Sequence, residues 1–158
     1  MGNKLEIDLI VYDFDGVMTD NKVYIDSSGS EIVQVNRSDG LAVSKIKELK
    51  IKQLILSTEK NEVVKRRSEK LGIDCIYNCS DKKNSLEEYC KKENISLSKV
   101  GFIGNDINDL EVMESVNFTF CPSDAHALIK ELSRFKLSTK GGDGVIREFY
   151  EFLVKDSS

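Results

Sequence analysis

Two aspartates one residue apart, Asp13 and Asp15, end the apolar run that starts at Leu9, and Gly16, Thr19 and Asp20 follow (LIVYDFDGVMTD). Residues i and i+2 of a strand share a face, so an extended backbone brings both carboxylates to one spot at a sheet edge. Two anions this close repel in a poorly solvated cleft. A hard divalent ion with oxygen ligands, Mg²⁺ most simply, relieves that repulsion. An isolated Asp-x-Asp is more often a surface turn or a helix cap, but the strand before this pair and the Gly-Val-x-Thr-Asp after it favour chemistry.

The elements that must position such a pair follow from periodicity. Apolar runs alternate with helical patterns, the signature of a parallel α/β sheet flanked by helices. Strands are predicted at 6–13, 52–57, 74–77, 99–103 and 117–121, with a short last one at 135–138. Leu41, Val43, Ile46 and Leu49 fall at helical spacing after Asp39, and Val63, Val64 and Leu71 do so within 61–71. Further helices are predicted at 81–93, 107–115, 123–133 and 143–154. One segment breaks the alternation: 22–26 and 31–36 read as two strands around Ser27-Ser-Gly-Ser, a β-hairpin directly after the acidic pair. Its apolar face (Val23, Ile25, Ile32, Val35) needs cover, which predicts a flap over the carboxyl end of the sheet or a subunit contact.

Composition narrows the classes. At 158 residues, with 40% hydrophobic and 32% charged residues, the chain suits one domain, 1–158, with its own core. No apolar run reaches the length of a signal h-region or membrane span, so a cytoplasmic protein without membrane partners is expected. A net charge of −4 lacks the electrostatic footprint of a nucleic-acid binder. Cys75, Cys79, Cys90 and Cys121 show no CxxC spacing and read as reduced thiols. His126, the only histidine, reads as a helix-start residue rather than a base or ligand.

Four segments occur in the order of the haloacid dehalogenase superfamily motifs: Asp13 to Asp20, Ser57 and Thr58 after Leu56, Asp81-Lys82, and Gly104-Asn105-Asp106-Ile-Asn108-Asp109. Within that superfamily the chain resembles the small capless phosphatases of 3-deoxy-octulosonate 8-phosphate and of nine-carbon ulosonate 9-phosphates. Residues 36–40, Arg66-Arg67 with Leu71-Gly72-Ile73, residues 124–126 and the glycine-rich run 141–148 extend the match over nearly the whole chain. The resemblance implies a Rossmann-like parallel sheet, a hairpin flap after the first strand, no large cap, and a Mg²⁺-dependent phosphoric monoester hydrolase acting on a phosphorylated sugar acid.

It also implies roles. Asp13 is the nucleophile, and Asp15 is the acid that protonates the leaving alkoxide and then the base that activates water. Ser57 and Lys82 hold phosphoryl oxygens, with Thr58 beside them where relatives commonly carry Gly. Mg²⁺ is held by Asp13, the Asp15 carbonyl and the last motif. There relatives commonly have Asp after the Gly, whereas this chain has Asn105, whose amide oxygen can coordinate but carries no charge, followed by Asp106, which could substitute. Asp109 supports the site by orienting Lys82 or a metal-bound water.

In that resemblance Glu59 and Arg67 face the sugar, and a guanidinium suits a substrate carboxylate. Against that stands a plain solvated helix face with pairs such as Glu62 and Arg66. Eight-carbon phosphatases commonly show Arg before the Asp39-Gly40 pair and Gly-Arg after the second motif; Ser38 and Thr58-Glu59 here match the nine-carbon branch, sialate or 2-keto-3-deoxy-nononate 9-phosphate. Capless relatives assemble as homotetramers in which a neighbour's hairpin and glycine-rich tail help close the cleft. Two other classes compete. A phosphoacceptor receiver domain would place its Asp on a middle strand, where this chain has Ser57. A non-catalytic module like the terminal domain of animal sialate cytidylyltransferases would not need Asp13, Asp15 and Lys82.

Overall fold

A computed structural model describes residues 5–156. Its elements run β1 (Leu9–Tyr12), β2 (Tyr24–Ile25), β3 (Glu31–Ile32), α1 (Arg37–Glu48), β4 (Lys52–Leu56), α2 (Val63–Leu71), β5 (Asp74–Ile76), α3 (Lys82–Glu93), β6 (Val100–Ile103), α4 (Leu110–Glu114), β7 (Phe118–Cys121), α5 (Ala127–Leu132), β8 (Phe135–Lys136) and α6 (Val145–Asp156). Six strands form one parallel sheet in the order β5-β4-β1-β6-β7-β8. The predicted parallel α/β architecture is therefore the observed one, and the described residues contain no large cap.

Alternation along the strands sends side chains to two cores. Ile10, Tyr12, Ile55, Ile103 and Phe120 pack on one face against α1, α2 and α6, through Val43, Ile46, Val64, Ile146 and Phe149. Leu9, Val11, Leu54, Leu56 and Phe102 pack on the other against α3, α4 and α5, through Leu86, Cys90, Met113 and Ile129. Burial on both faces explains why these strands read as continuous apolar runs. Phe120 stacks on Phe135 at 4.8 Å and meets Phe149 edge-on at 5.0 Å, which closes the core near the β8 edge.

β1 lies between β4 and β6, and the chain winds outward from it on both sides. This is the switch point where open α/β sheets bind ligands at their carboxyl ends. Tyr12 is level with Ile55 and Ile103, so the residues just past three adjacent strands (Asp13, Ser57 and Gly104) emerge together.

The hairpin departs from expectation. Only two residues of each arm pair, although the arms are predicted at 22–26 and 31–36. Apolar side chains are exposed on both of its faces, with Tyr24 (77% exposed) opposite Ile32 (65%) on one and Ile25 (67%) on the other. Only Val33 and Val35 rest on the core, and Val35 bridges back to Thr19. The segment predicted as helix 107–115 starts as a 3₁₀ turn at Ile107–Asp109 before α4. No helix among the described residues is long and apolar enough to cross a membrane, and all four cysteines are free thiols.

Candidate active site

Asp13 leaves β1 with its N–H bonded to the carbonyl of Ile103 at 3.0 Å, so the sheet ladder still governs its direction. Its Oδ1 accepts from the Phe14 N–H at 2.8 Å and from Lys82 Nζ at 2.9 Å. Lys82 is the first residue of α3, whose N-cap Asp81 accepts from the Asn84 N–H at 2.9 Å, and its ammonium also donates to Asp109 Oδ1 at 2.7 Å. All three side chains are buried. One cation thus serves two carboxylates. Burial, followed by the charge of Asp109, pushes the Asp13 carboxyl up to about 8, with Lys82 opposing. Burial alone would lower the Lys82 ammonium; the two carboxylates override it and hold the ammonium above its ordinary value. A second cation is what would let Asp13 ionise fully near neutral pH.

The turn after Asp13 is tied down tightly. The Phe14 carbonyl accepts from the N–H groups of Val17, Met18 and Thr19, and Thr19 Oγ1, fully buried, accepts from the N–H groups of Gly16 (3.2 Å) and Asn21 (3.1 Å). Thr19 is a site-shaping residue to which the sequence pattern assigned no role. Asp15 sits on this turn, half-buried, and its carboxyl is raised by burial and then by Glu59, the direction an acid catalyst needs. Gly16 holds φ +83°, and a Cβ there would lie 1.8 Å from Asn105 Nδ2, so only glycine lets the turn touch Asn105.

In the last motif Asp106 Oδ1 accepts from the Ile107 N–H at 2.7 Å as cap of the 3₁₀ turn. Asp109 Oδ2 accepts from the Asn105 N–H (3.0 Å) and the Asp106 N–H (3.4 Å). Asn105 is 8% exposed, and its Oδ1 is buried without a hydrogen-bond partner. A buried amide oxygen without a donor costs free energy unless something binds it. The Asp13 carboxylate, the Asp15 carbonyl and this orphaned oxygen together suit a hard, oxygen-preferring cation such as Mg²⁺. No group of three His, Cys, Asp or Glu gathers as a cation cage among the described residues, so this donor set is mostly neutral.

On the β4 side, Ser57 is buried and its Oγ accepts from the Glu59 N–H at 3.1 Å. Exposed Thr58 accepts from Asn108 Nδ2 at 3.4 Å, which links the second and fourth motifs. Glu59 Oε1 accepts from the N–H groups of Lys60 (2.7 Å) and Asn61 (2.9 Å), which holds the side chain where its charge reaches Asp15. Arg67 is held from a different direction. Its Nη2 donates to the Asn36 carbonyl at 3.1 Å at the start of α1, and its Nε is buried without a partner.

Two placements add to the sequence reading. Gly141 and Gly142, in the glycine-rich tail, pack within their own chain: a Cβ on Gly141 would lie 2.1 Å from the Gly16 carbonyl oxygen and one on Gly142 2.6 Å from the Asp20 nitrogen. Asp39, read only as the residue before a helix, is 1% exposed inside α1, and its Oδ1 accepts from the N–H groups of Ile146 (3.1 Å) and Arg147 (3.3 Å) at the start of α6. No local pattern reveals that partnership, because α6 arrives from the far end of the chain. His126 caps α5, with Nδ1 accepting from the Leu128 N–H at 3.2 Å, and its own N–H donates to the Asn105 carbonyl at 2.8 Å.

The haloacid dehalogenase-like hydrolase family profile matches residues 5–149. The 3-deoxy-D-manno-octulosonate 8-phosphate phosphatase of Escherichia coli strain K12 is 30% identical over 149 residues, covering 94% of this chain and 79% of that protein. N-acylneuraminate cytidylyltransferase A of Danio rerio is 26% identical over 148 residues, which make up 92% of this chain but only 34% of the cytidylyltransferase. Among solved structures, a HAD family hydrolase from Streptomyces avermitilis MA-4680 superposes with a TM-score of 0.93 at 38% identity, covering 96% of this chain and 87% of that one. The octulosonate 8-phosphate phosphatase of Moraxella catarrhalis, in complex with magnesium ion, phosphate ion and KDO, superposes with a TM-score of 0.91 at 29% identity, covering 96% and 88%.

Proposed function

Because the chain belongs to the haloacid dehalogenase-like hydrolases, we propose that it is a Mg²⁺-dependent phosphatase that releases inorganic phosphate from a phosphorylated 3-deoxy-2-keto sugar acid. The observation that carries this reading is the buried Asp13–Lys82–Asp109 array beside the unpartnered oxygen of Asn105.

A carboxylate and a phosphate dianion about 4 Å apart repel by roughly 4 kcal/mol per charge pair at an effective dielectric near 20. Mg²⁺, when held by Asp13, the Asp15 carbonyl and Asn105, supplies positive charge against that repulsion. Lys82 adds a fixed ammonium bonded to Asp13, and Ser57 offers its hydroxyl to a phosphoryl oxygen. Asp13 Oδ forms a bond to phosphorus as the ester P–O bond breaks, and Asp15 passes its proton to the departing sugar oxygen. Asp15, now a base, takes a proton from water as that water attacks the aspartyl phosphate. The Asp13–phosphorus bond breaks, and phosphate leaves.

The finer reading is a nine-carbon substrate, a nonulosonate 9-phosphate such as that of sialate or 2-keto-3-deoxy-nononate. Ser38 and Thr58-Glu59 support it, with Glu59 beside Asp15 and Arg67 as the guanidinium for the substrate carboxylate. An eight-carbon octulosonate 8-phosphate is the second reading, favoured by relatives that match over most of their own length. The similarity to a cytidylyltransferase raises a non-catalytic role, against which the intact Asp13, Asp15 and Lys82 stand. The exposed apolar hairpin supports assembly of the single 1–158 domain as a homotetramer.

Mg²⁺-dependent phosphate release from octulosonate, nononate and sialate phosphates, with Asp13→Asn as control, tests all of this. The nine-carbon esters should be turned over best and the variant should be inert. Equal rates for both proteins would remove the nucleophile, and clear preference for the eight-carbon ester would replace the finer reading.

A further inference from the structure

The donor set at the cleft is short of negative charge. Asp13 is its one anionic donor, since Asp15 offers a backbone carbonyl and Asn105 an amide oxygen. The nearby carboxylates are already engaged. Asp106 Oδ1 caps its own turn, Asp109 Oδ1 accepts from Lys82, and Asp109 Oδ2 accepts from two N–H groups. Lys82 also competes with any cation for Asp13 Oδ1 from 2.9 Å. Asn105 itself is fixed, with its N–H on Asp109, its carbonyl on His126 and its side chain against the Gly16 turn. Its orphaned oxygen is therefore held in place but contributes only a dipole.

From this we infer that the chain binds its divalent cation weakly alone and acquires it together with the phosphoryl group, whose oxygen supplies the missing anionic ligand. Asn105 is the positioning residue that sets this dependence. The inference rests on the phosphatase reading and adds an order to it: metal and phosphate strengthen each other's binding by one common factor. A carboxylate at 105 would favour the metal in the free protein and disfavour the incoming dianion, because ligand charge count tunes affinity for hard cations.

Free Mn²⁺, counted by electron paramagnetic resonance during titration into the full chain, reads this directly. In the natural protein, saturating inorganic phosphate should lower the apparent Kd for Mn²⁺ by about tenfold or more. In Asn105→Asp the phosphate-free Kd should fall by about tenfold, and the effect of phosphate should shrink. An unchanged Kd with phosphate in the natural protein overturns the inference, as does an Asn105→Asp variant, folded by circular dichroism, with the natural Kd. If that variant does not fold, the natural protein with and without phosphate still decides. Hydrolysis of p-nitrophenyl phosphate, run in parallel, separates the two ideas: hydrolysis with phosphate-independent Mn²⁺ binding defeats the inference alone, whereas coupled binding without hydrolysis of any ester defeats the phosphatase reading alone.

Discussion

Substituting Asp39→Asn should flatten one part of the protein's pH-stability curve. The carboxyl is buried in α1, and burial, opposed by the Arg147 and Ile146 N–H groups and by the Arg67 and Arg147 charges, pushes it up from 3.8 to about 6. Its second oxygen, Oδ2, is buried with no hydrogen bond. A carboxyl raised in the fold keeps its proton to higher pH than it does in the unfolded chain. Its contribution is therefore fully present below about pH 4 and is lost as pH rises through about 6. Two pH units at about 1.4 kcal/mol each give about 3 kcal/mol. Asparagine carries no charge but keeps an amide oxygen for the Ile146 and Arg147 N–H groups. Urea denaturation of both proteins from about pH 4 to about pH 7 should show the stability difference moving in favour of Asn by about 3 kcal/mol, most of it below about pH 6. Taking the difference between the two proteins cancels the titration of every other group. Parallel curves would refute the reasoning, because they would mean that Asp39 titrates alike in the folded and unfolded chain.

Three further outcomes are expected. Lys82→Met leaves two buried carboxylates without their shared cation and should lower stability at neutral pH by about 3 kcal/mol in urea denaturation, besides abolishing phosphate release. Asp15→Asn should slow leaving-group release in the first turnover by about 10²-fold or more with alkyl phosphates but far less with aryl phosphates, since a phenolate leaves without help from an acid; equal losses in pre-steady-state release of the leaving group would remove Asp15 as proton donor. Ile25→Asp with Ile32→Asp on the exposed hairpin should reduce the proposed tetramer to smaller species in sedimentation velocity while the melting temperature stays close to that of the natural protein.

The strand that delivers Asp13 was legible because both of its faces are buried, so Leu9 to Tyr12 read as one apolar run. Ser57 and Lys82 were legible only through the order of the motifs, since a serine after a strand and a lysine at a helix start are ordinary in themselves. The cap bond from the Ile107 N–H to Asp106 and the unpartnered oxygen of Asn105 needed geometry, since neither follows from residue type. Asp39 and Arg67 were opaque for a shared reason. A charged residue on a helix reads as solvated, whereas Asp39 is buried against α6 and Arg67 is tied to the start of α1, pairings that spacing does not encode. The hairpin was legible as a hairpin, but residue spacing says nothing of what covers its exposed apolar side chains.

The glycine pair at 141 and 142 sits backbone to backbone under the turn that carries Asp15, close enough to exclude any side chain. That floor belongs to the segment just before α6, whereas the turn it supports follows the first strand. During synthesis Asp13, the proposed nucleophile, emerges before nearly all of the sheet is made and waits for the piece that fixes the turn carrying Asp15. Chemical competence is thus among the last properties a nascent chain acquires, and a partly made copy would carry the reactive aspartate without the rigidity to use it.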